Sequence, residues 1–220
     1  MAIKIGFYEK AAAGIVLLSF IIGIMLYPSM PDMMASHWDA AGQVNGYIPK
    51  LWGLFLMPVI ATILFGLFIV IPEIDPLKDN IRKFRKQFDM FVLVLMVFLL
   101  YVYLLTIGWN FGVRFGMLQA LSPALALMFY YAGRLMEMSE RNWFIGMRTP
   151  WTMSSDRVWH ETNRLGGKLM RASGIIALFG VAFPDFAFAL VLVPVLATAL
   201  FSMVYSYVLY TKEKRKRRKR

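Results

Sequence analysis

Two histidines with acidic neighbours come nearest, in this chain, to a catalytic or metal-binding pattern. His160-Glu161 begins like the zinc-hydrolase motif H-E-x-x-H, but Arg164 occupies the position of the second histidine ligand. His37 has only carboxylates such as Asp39 near it in the sequence, which is a short ligand set for a metal. The chain contains no cysteine, which excludes thiol catalysis and thiolate ligands. Since no nucleophile–base set is present either, the sequence predicts a binding protein without metal or cofactor rather than an enzyme.

The segment 29–50, between the first two apolar stretches, is the first of two candidate binding surfaces. Its prolines disfavour helix, and Asn45-Gly46 predicts a turn because both residues tolerate positive φ. The candidate ligand-binding residues are His37, Trp38, Asp39 and Asn45. Two interpretations remain open: a recognition loop for a ligand, and a capped loop that closes one face of a bundle.

The segment 142–168 is the second candidate surface. Pro150 disfavours helix at the residue before it, and Ser154 or Ser155 can cap a new helix beyond this turn. In that helix, basic residues and Glu161 recur every three or four positions, which indicates an amphipathic helix at a membrane interface. The candidate partner-binding residues are Arg148, Trp151, Arg157, Trp159 and Arg164. This face is either a docking surface for a partner or a solvated surface without one.

Long uncharged stretches must position both segments. Five stretches of about 20 residues are long enough, as helices, to cross the hydrocarbon core of a bilayer. They are Ala11–Pro31, Leu51–Pro72, Met90–Val113, Phe115–Gly133 and Phe186–Thr211. Charges near the middle of a membrane are expensive, which explains why these stretches exclude them.

A sixth uncharged stretch, Ala172–Pro184, is too short to cross alone. We expect the fifth helix to begin near Gly166, with Lys168 and Arg171 reaching the membrane surface, and Pro184-Asp185 to form a turn. The sequence therefore predicts an all-α polytopic membrane bundle of six transmembrane helices, with an interfacial amphipathic helix before the fifth. Five spans with a re-entrant hairpin is the alternative.

The net charge of +11 is distributed very unevenly. With six crossings and a cytoplasmic amino terminus, every Lys and Arg except Lys50 and Arg114 lies in an inner segment. The positive-inside rule then predicts a multi-pass cell-membrane protein with both termini cytoplasmic and the segment 29–50 outside. We expect the basic tail from Lys212 to Arg220 to bind anionic lipid, and direct nucleic-acid contact is disfavoured.

Two motifs give the chain a resemblance to a known family. The first, Pro31…His37-Trp38…Gly42…Asn45-Gly46…Lys50, resembles the membrane domain that commonly precedes the SdpI-type domain. The second resembles the SdpI signature and consists of Gly146-Met147-Arg148-Thr149-Pro150-Trp151-Thr152, Ser155-Asp156, Trp159, Thr162-Asn163-Arg164 and Gly166-Gly167. On this resemblance the chain divides into an N-terminal membrane domain of four spans, 1–133, and an SdpI-like C-terminal region, 134–220.

The resemblance implies an immunity and signal-transduction protein. Such a protein senses or neutralises an extracellular toxic peptide and couples to a cytoplasmic transcriptional repressor. Membrane transport of a peptide or small solute is the alternative, since Pro58, Pro123 and Pro194 can break helices around a site. It is disfavoured because no ionisable residue is secure within a predicted span.

Overall fold

The computed structural model describes residues 6–218, and its architecture consists of six long helices with one β-hairpin. The long helices are α1 (Phe7–Leu26), α2 (Lys50–Ile74), α4 (Arg85–Asn110), α5 (Met117–Met138), α7 (Asp156–Leu178) and α8 (Ala187–Arg218). Two short helices, α3 (Lys78–Lys83) and α6 (Pro150–Met153), lie in connections. Strands β1 (Met33–Trp38) and β2 (Val44–Pro49) form the antiparallel hairpin between α1 and α2. Lys4 and the last two residues of the predicted lipid anchor, Lys219 and Arg220, lie outside the described residues.

The hairpin shows that the all-α prediction was too simple, because the mostly helical fold includes one pair of strands. The chain reverses at Asp39–Gly42 and not at Asn45-Gly46. Gly42 adopts a φ of +76°, which glycine does without steric cost. Asp39 Oδ1 accepts hydrogen bonds from the N–H groups of Ala41 and Gln43, both at 2.9 Å, and so caps the turn.

Asn45-Gly46 instead forms part of an irregular stretch of β2. The register shifts on both sides of His37, which faces Gly46, while Trp38 faces Val44. A Cβ at Gly46 would lie 2.9 Å from the Cβ of His37, so the strands can approach this closely only at a glycine. Gly46 is thus required by the structure, but for the close approach of the two strands at a bulge and not for a turn.

Contacts between helices define two ends of the molecule. Arg85 of α4 pairs with Glu9 of α1 at 3.1 Å, so both helices begin at the same end. Asn110, at the other end of α4, bonds the backbone of Ala35 in the hairpin. We call the end with the hairpin, residues 110–119 and residues 179–186 the hairpin end. We call the opposite end, with α3, residues 139–155 and the carboxyl end of α8, the basic end.

The last three long helices pack against one another in antiparallel pairs. Gly167 of α7 lies so close to α5 that a Cβ there would be 2.5 Å from the carbonyl oxygen of Gly133. Ser173 of α7 bonds Thr198 of α8 at 3.1 Å, and Thr149 bonds Ser206 at 3.0 Å nearer the basic end. Small residues at such positions allow close helix approach, as is typical of membrane bundles.

The separate interfacial helix is not confirmed. The amphipathic sequence from Asp156 onwards forms one continuous helix, α7, which passes Gly166 without a break. The helix therefore does not start near Gly166: this glycine lies against Ser202 of α8 and Met136 of α5, and these tertiary contacts keep the helix continuous through it. The turn at Pro184 is confirmed, since α7 ends at Leu178 and Pro184–Phe186 form a single 3₁₀ turn before α8.

The molecule is a membrane protein by the character of its helices. Among residues 6–218, four helices are long and apolar enough to cross a bilayer. These are Phe7–Ser29, Lys50–Ile74, Arg85–Asn110 and Pro184–Arg218. The count of six crossings is not confirmed, because α5 and α7 do not meet the same criterion; α7 in particular carries charged residues along its first two thirds.

Candidate functional site

The hairpin is held on the helices by side-chain packing and by hydrogen bonds to its backbone. The fully buried side chain of Met34 fills the space over Gly53 of α2, where a Cβ would lie 2.6 Å from its sulfur. Asn110 accepts from the Ala35 N–H at 2.8 Å and donates to the Ala35 carbonyl at 3.0 Å. Asn110 thus replaces a missing strand partner for this edge, which fixes the hairpin as a rigid platform.

His37 and Asn45 are brought together on the exposed face of this platform. His37 Nδ1 donates to Asn45 Oδ1 at 2.5 Å across the two strands, because the amide oxygen can only accept. Among residues 6–218, the other imidazole nitrogen and the Asn45 amide N–H groups have no hydrogen-bond partner, so a ligand can bind them. Both predicted residues therefore lie where an incoming molecule can reach them.

Trp38 and Asp39 have structural contacts instead. Trp38 packs edge-to-face on Trp109, with ring centroids 5.6 Å apart, and so ties the hairpin to the end of α4. Asp39 is occupied by the turn that it caps. Of the four candidate ligand residues, the structure thus separates two exposed ones from two that position the loop.

The basic end is organised around residues buried beneath the segment 139–155. Trp159 is fully buried and donates its indole N–H to the Ser139 carbonyl at 2.8 Å. Asn163 Oδ1 accepts a hydrogen bond from the Met147 N–H at 2.6 Å. The residue before Met147, Gly146, has a φ of +100°, which favours glycine at this position. The structure corrects the prediction for Trp159: a side chain without solvent exposure cannot contact a partner, so its role is to support the segment.

Arg148, Trp151, Arg157 and Arg164 are the remaining candidate partner contacts. Arg148 is exposed and donates to the Trp143 carbonyl, while Trp151 packs edge-to-face on Tyr207 of α8 at 5.1 Å. Arg164 is exposed and has no ion pair or hydrogen bond with residues 6–218. These side chains are spread over one face of the basic end rather than gathered in a pocket.

A groove between α7 and the end of α8 lies beside this face. Its volume is about 260 Å³, with Val158 and Leu209 among its lining and charged side chains from both helices around them. Arg157 pairs with Glu161 at 2.7 Å, as the i,i+4 spacing predicts, and this hydrogen bond raises the pKa of the Arg157 guanidinium above its ordinary value. Glu213 accepts from Ser155 at 2.8 Å, which joins the tail to the cap of α7.

Sequence reasoning missed several polar residues that build the basic end. Asn142 is buried and bonds the backbone of the Phe144–Ile145 turn, and Asp75, also buried, accepts from the Trp143 N–H at 2.9 Å. Arg141 pairs with Asp156 at 2.9 Å. The only available signal was local: Asn and Asp beside turn residues favour such side-chain-to-backbone bonds.

Comparisons with known proteins find matches in two separate regions of the chain. Residues 139–206 match the SdpI/YfhL protein family, and residues 14–62 match a domain of unknown function, DUF1648. The first region contains the segment beneath which Trp159 and Asn163 lie, and the second contains the hairpin. The predicted resemblance to the SdpI family is confirmed.

Two curated proteins of Bacillus subtilis (strain 168) are similar to this chain. The immunity protein SdpI is 27% identical over 199 residues, which cover 90% of this chain and 93% of that protein. The uncharacterized membrane protein YbgB is 33% identical over 54 residues, which cover 24% of this chain and 59% of that protein. No solved structure matches the chain.

Proposed function

We propose that this chain, which carries an SdpI/YfhL-family region at residues 139–206, is a membrane immunity protein against an extracellular toxic peptide. The observation that carries the proposal is the similarity to the immunity protein SdpI over 90% of this chain and 93% of that protein. A match of this extent includes the hairpin, the segment 139–155 and the helices that join them. The task is binding rather than turnover, and the protein is not an enzyme.

The hairpin end faces the outside in this proposal, and both termini are cytoplasmic. Its support is the charge distribution: among the Lys and Arg residues between positions 6 and 218, Lys50 and Arg114 are the two that lie at the hairpin end. Lys50 forms an ion pair with Asp32 at 3.0 Å, and the Arg114 guanidinium lies 3.8 Å from the centre of the Trp109 ring.

Single cysteines test this orientation cleanly, because the native chain contains none. Gln43→Cys and Lys86→Cys place thiols at exposed positions of the hairpin end and the basic end. A membrane-impermeant maleimide is expected to label Gln43→Cys in intact cells, and Lys86→Cys only after permeabilisation. The reverse pattern would show the opposite orientation.

Toxin binding is coupled to the cytoplasmic side through the helices that join the two ends. Asn110 and the Glu9–Arg85–Asp89 cluster lie at opposite ends of α4, so a shift of this helix changes the contacts at both ends. The coupling is a change in population between two arrangements of the bundle. Arg148, Trp151, Arg157 and Arg164 form the face that holds a cytoplasmic transcriptional repressor, and the basic tail from Lys212 binds anionic lipid beside it.

Survival under toxin tests the immunity function directly. The full chain is expressed in a toxin-sensitive Bacillus subtilis strain that lacks SdpI, with His37→Ala and Arg148→Glu as variants at the two ends. We expect the wild type to protect, His37→Ala to lose protection, and Arg148→Glu to protect while the membrane-bound fraction of a tagged candidate repressor falls. Unprotected cells that contain well-inserted wild-type protein would refute the immunity function.

Transport of a peptide or small solute is the second candidate, and one structural observation favours it. Arg85 pairs with Glu9 at 3.1 Å and with Asp89 at 2.6 Å, which places three ionisable side chains at the interface of two apolar helices. Ionisable side chains that pair between membrane helices mark ion and proton pathways in pumps and transporters, and this cluster lies at the basic end of both helices. Toxin uptake into proteoliposomes that depends on this cluster, tested with Asp89→Asn, would support transport over immunity by binding.

A further inference from the structure

An open cleft of about 490 Å³ lies at the hairpin end, between the hairpin turn, the start of α5 and the turn before α8. Its walls come from three separate parts of the chain: residues 40–42, residues 116–119 and Pro184-Asp185. The volume lies within the range of about 300–1,000 Å³ that is typical of small-ligand sites. The cleft also joins the two family regions, since residues 40–42 and 184–185 belong to different ones.

Two side-chain acceptors of this cleft, on Asp185 and Gln119, have no donor among residues 6–218. The Asp185 carboxylate is exposed and has no hydrogen bond or ion pair with residues 6–218. The other two acids of the hairpin end are occupied, Asp32 by Lys50 and Asp39 by the turn. Gln119 donates its amide to the Val181 carbonyl at 2.8 Å, which fixes the side chain and leaves its oxygen unpaired among the described residues.

The same cleft offers a limited set of backbone donors. The N–H groups of Ala41, Gly42 and Gln43 are already used inside the hairpin turn. The N–H groups at the start of α5, at Met117–Gln119, belong to the first turn of a helix and have no intrahelical acceptor. A ligand that fits both sides therefore carries a cation towards Asp185 and a carbonyl or carboxylate towards α5.

A peptide has this combination of groups. Small residues at the hairpin turn, Ala40, Ala41 and Gly42, let its main chain approach closely, and a Cβ added at Gly42 would meet nothing within 4 Å. Both cations of the hairpin end, Lys50 and Arg114, are engaged elsewhere and leave Asp185 uncompensated. We propose that this cleft binds a segment of an extracellular peptide, with a lysine, arginine or α-amino cation of the peptide paired to Asp185.

This inference rests on the proposed function, which supplies the peptide, and it adds Asp185 and the start of α5 to the contact that His37 makes. The imidazole would then contact a neighbouring part of the ligand, while Asp185 and the α5 turn hold its charged segment. Charge-assisted hydrogen bonds are stronger than neutral ones, so removal of the Asp185 charge is expected to weaken peptide binding measurably even while His37 is present.

Binding of purified peptide toxin to the full chain in lipid nanodiscs tests the cleft. Asp185→Asn removes the charge and keeps the shape, whereas Asp185→Glu keeps the charge. Ala41→Trp fills the cleft, and Gln43→Trp places the same side chain on the turn outside the cleft lining. We expect roughly tenfold weaker binding for Asp185→Asn and for Ala41→Trp, and affinity within about twofold of wild type for Asp185→Glu and Gln43→Trp.

The outcomes separate the cleft from the function on which it rests. If the wild type binds and protects, and Asp185→Asn and Ala41→Trp bind equally well, the cleft is not the site and immunity stands. If acetylation of every amine on the toxin reproduces the loss seen in Asp185→Asn, the cation pairing is supported. If inserted wild-type protein neither binds nor protects, the proposed function and the cleft both fail.

Discussion

The two halves of this bundle are held together by different kinds of contact. In α1, α2 and α4, large apolar side chains fill the space between helices, as in the clusters around Met96 and around Tyr103. In α5, α7 and α8, glycines bring the backbones together and hydroxyl pairs such as Ser173–Thr198 bridge them. The first half is specified mainly by side-chain volume, and the second by the absence of side chains at chosen positions.

This difference shows where each half can tolerate change. A core of large flexible side chains can repack around a substitution, at a cost that depends on the site. Two backbones that touch through glycine have no such freedom, because main-chain atoms cannot rotate out of the way. We therefore expect the second half to be the more sensitive to small additions.

Adding one methyl group to each half is the strongest test of this comparison. Gly167→Ala would place a Cβ 2.5 Å from the Gly133 carbonyl oxygen, so α5 and α7 must separate. We expect a loss of about 1–3 kcal/mol or more in the free energy of unfolding. Gly14→Ala, in α1, meets nothing within 4 Å and is expected to gain about 0.5–1 kcal/mol, the ordinary cost of glycine in a helix. Equal effects in reversible detergent unfolding would contradict the comparison.

Trp159 tests whether the segment 139–155 depends on its buried anchor. Trp159→Phe removes the donor to the Ser139 carbonyl, and a buried acceptor without a partner costs about 1–3 kcal/mol. Trp143→Phe is the matched control, since that side chain is 51% exposed and its replacement is expected to stay within about 0.5 kcal/mol. Unfolding midpoints of both variants in the same detergent supply the measurement. A Trp159→Phe protein as stable as wild type would argue against the anchor.

In the first half, Asn110 makes a polar contact that resembles the bridges of the second half. Asn110→Leu removes both bonds to the Ala35 backbone, which we expect to loosen the hairpin by about 1 kcal/mol while the helices stay folded. Amide hydrogen exchange in β1 is expected to speed up about fivefold, the equivalent of that energy. Asn45→Leu, on the exposed face, should leave exchange at Ala35 unchanged. Unchanged exchange in Asn110→Leu would mean that Met34 and Trp38 hold the hairpin without it.

Local chemistry explains which features were predictable from the sequence. The Pro184 turn, the Ser155 cap and the Arg157–Glu161 pair each depend on residues within four positions, and all three are present. The uncharged stretches likewise gave the long helices, because the exclusion of charge from lipid acts on every residue separately. Of these, four are confirmed as apolar enough to cross a membrane.

The features that were missed depend on partners distant in sequence. The hairpin needs Gly53 and Asn110 to receive it, and the burial of Trp159 needs the Ser139 carbonyl above it. In the sequence, Trp159 lies beside the apolar stripe of an amphipathic helix. This position is equally compatible with a buried side chain and with one that contacts a partner. The cleft at Asp185 could not be predicted at all, since its walls come from three separate segments.

The hydroxyl bridge between Ser173 and Thr198 carries the smallest expected effect and tests the comparison most finely. Ser173 Oγ also donates to the Leu169 carbonyl of its own helix at 2.9 Å, so Thr198 Oγ1 is the donor across the α7–α8 contact. Ser173→Ala leaves the Thr198 hydroxyl without its acceptor, and Thr198→Val leaves Ser173 Oγ without its donor, each at about 0.5–1.5 kcal/mol. The double variant removes both groups and is expected to cost less than the sum, so a double-mutant cycle should give a coupling energy of about 0.5–1 kcal/mol. Ser19→Ala with Thr62→Val is the control pair in the first half, because among residues 6–218 each of these hydroxyls bonds a carbonyl of its own helix and no group of another helix. Coupling in both pairs, or in neither, would mean that polar bridging does not distinguish the halves, and the glycine contacts alone would then account for the difference.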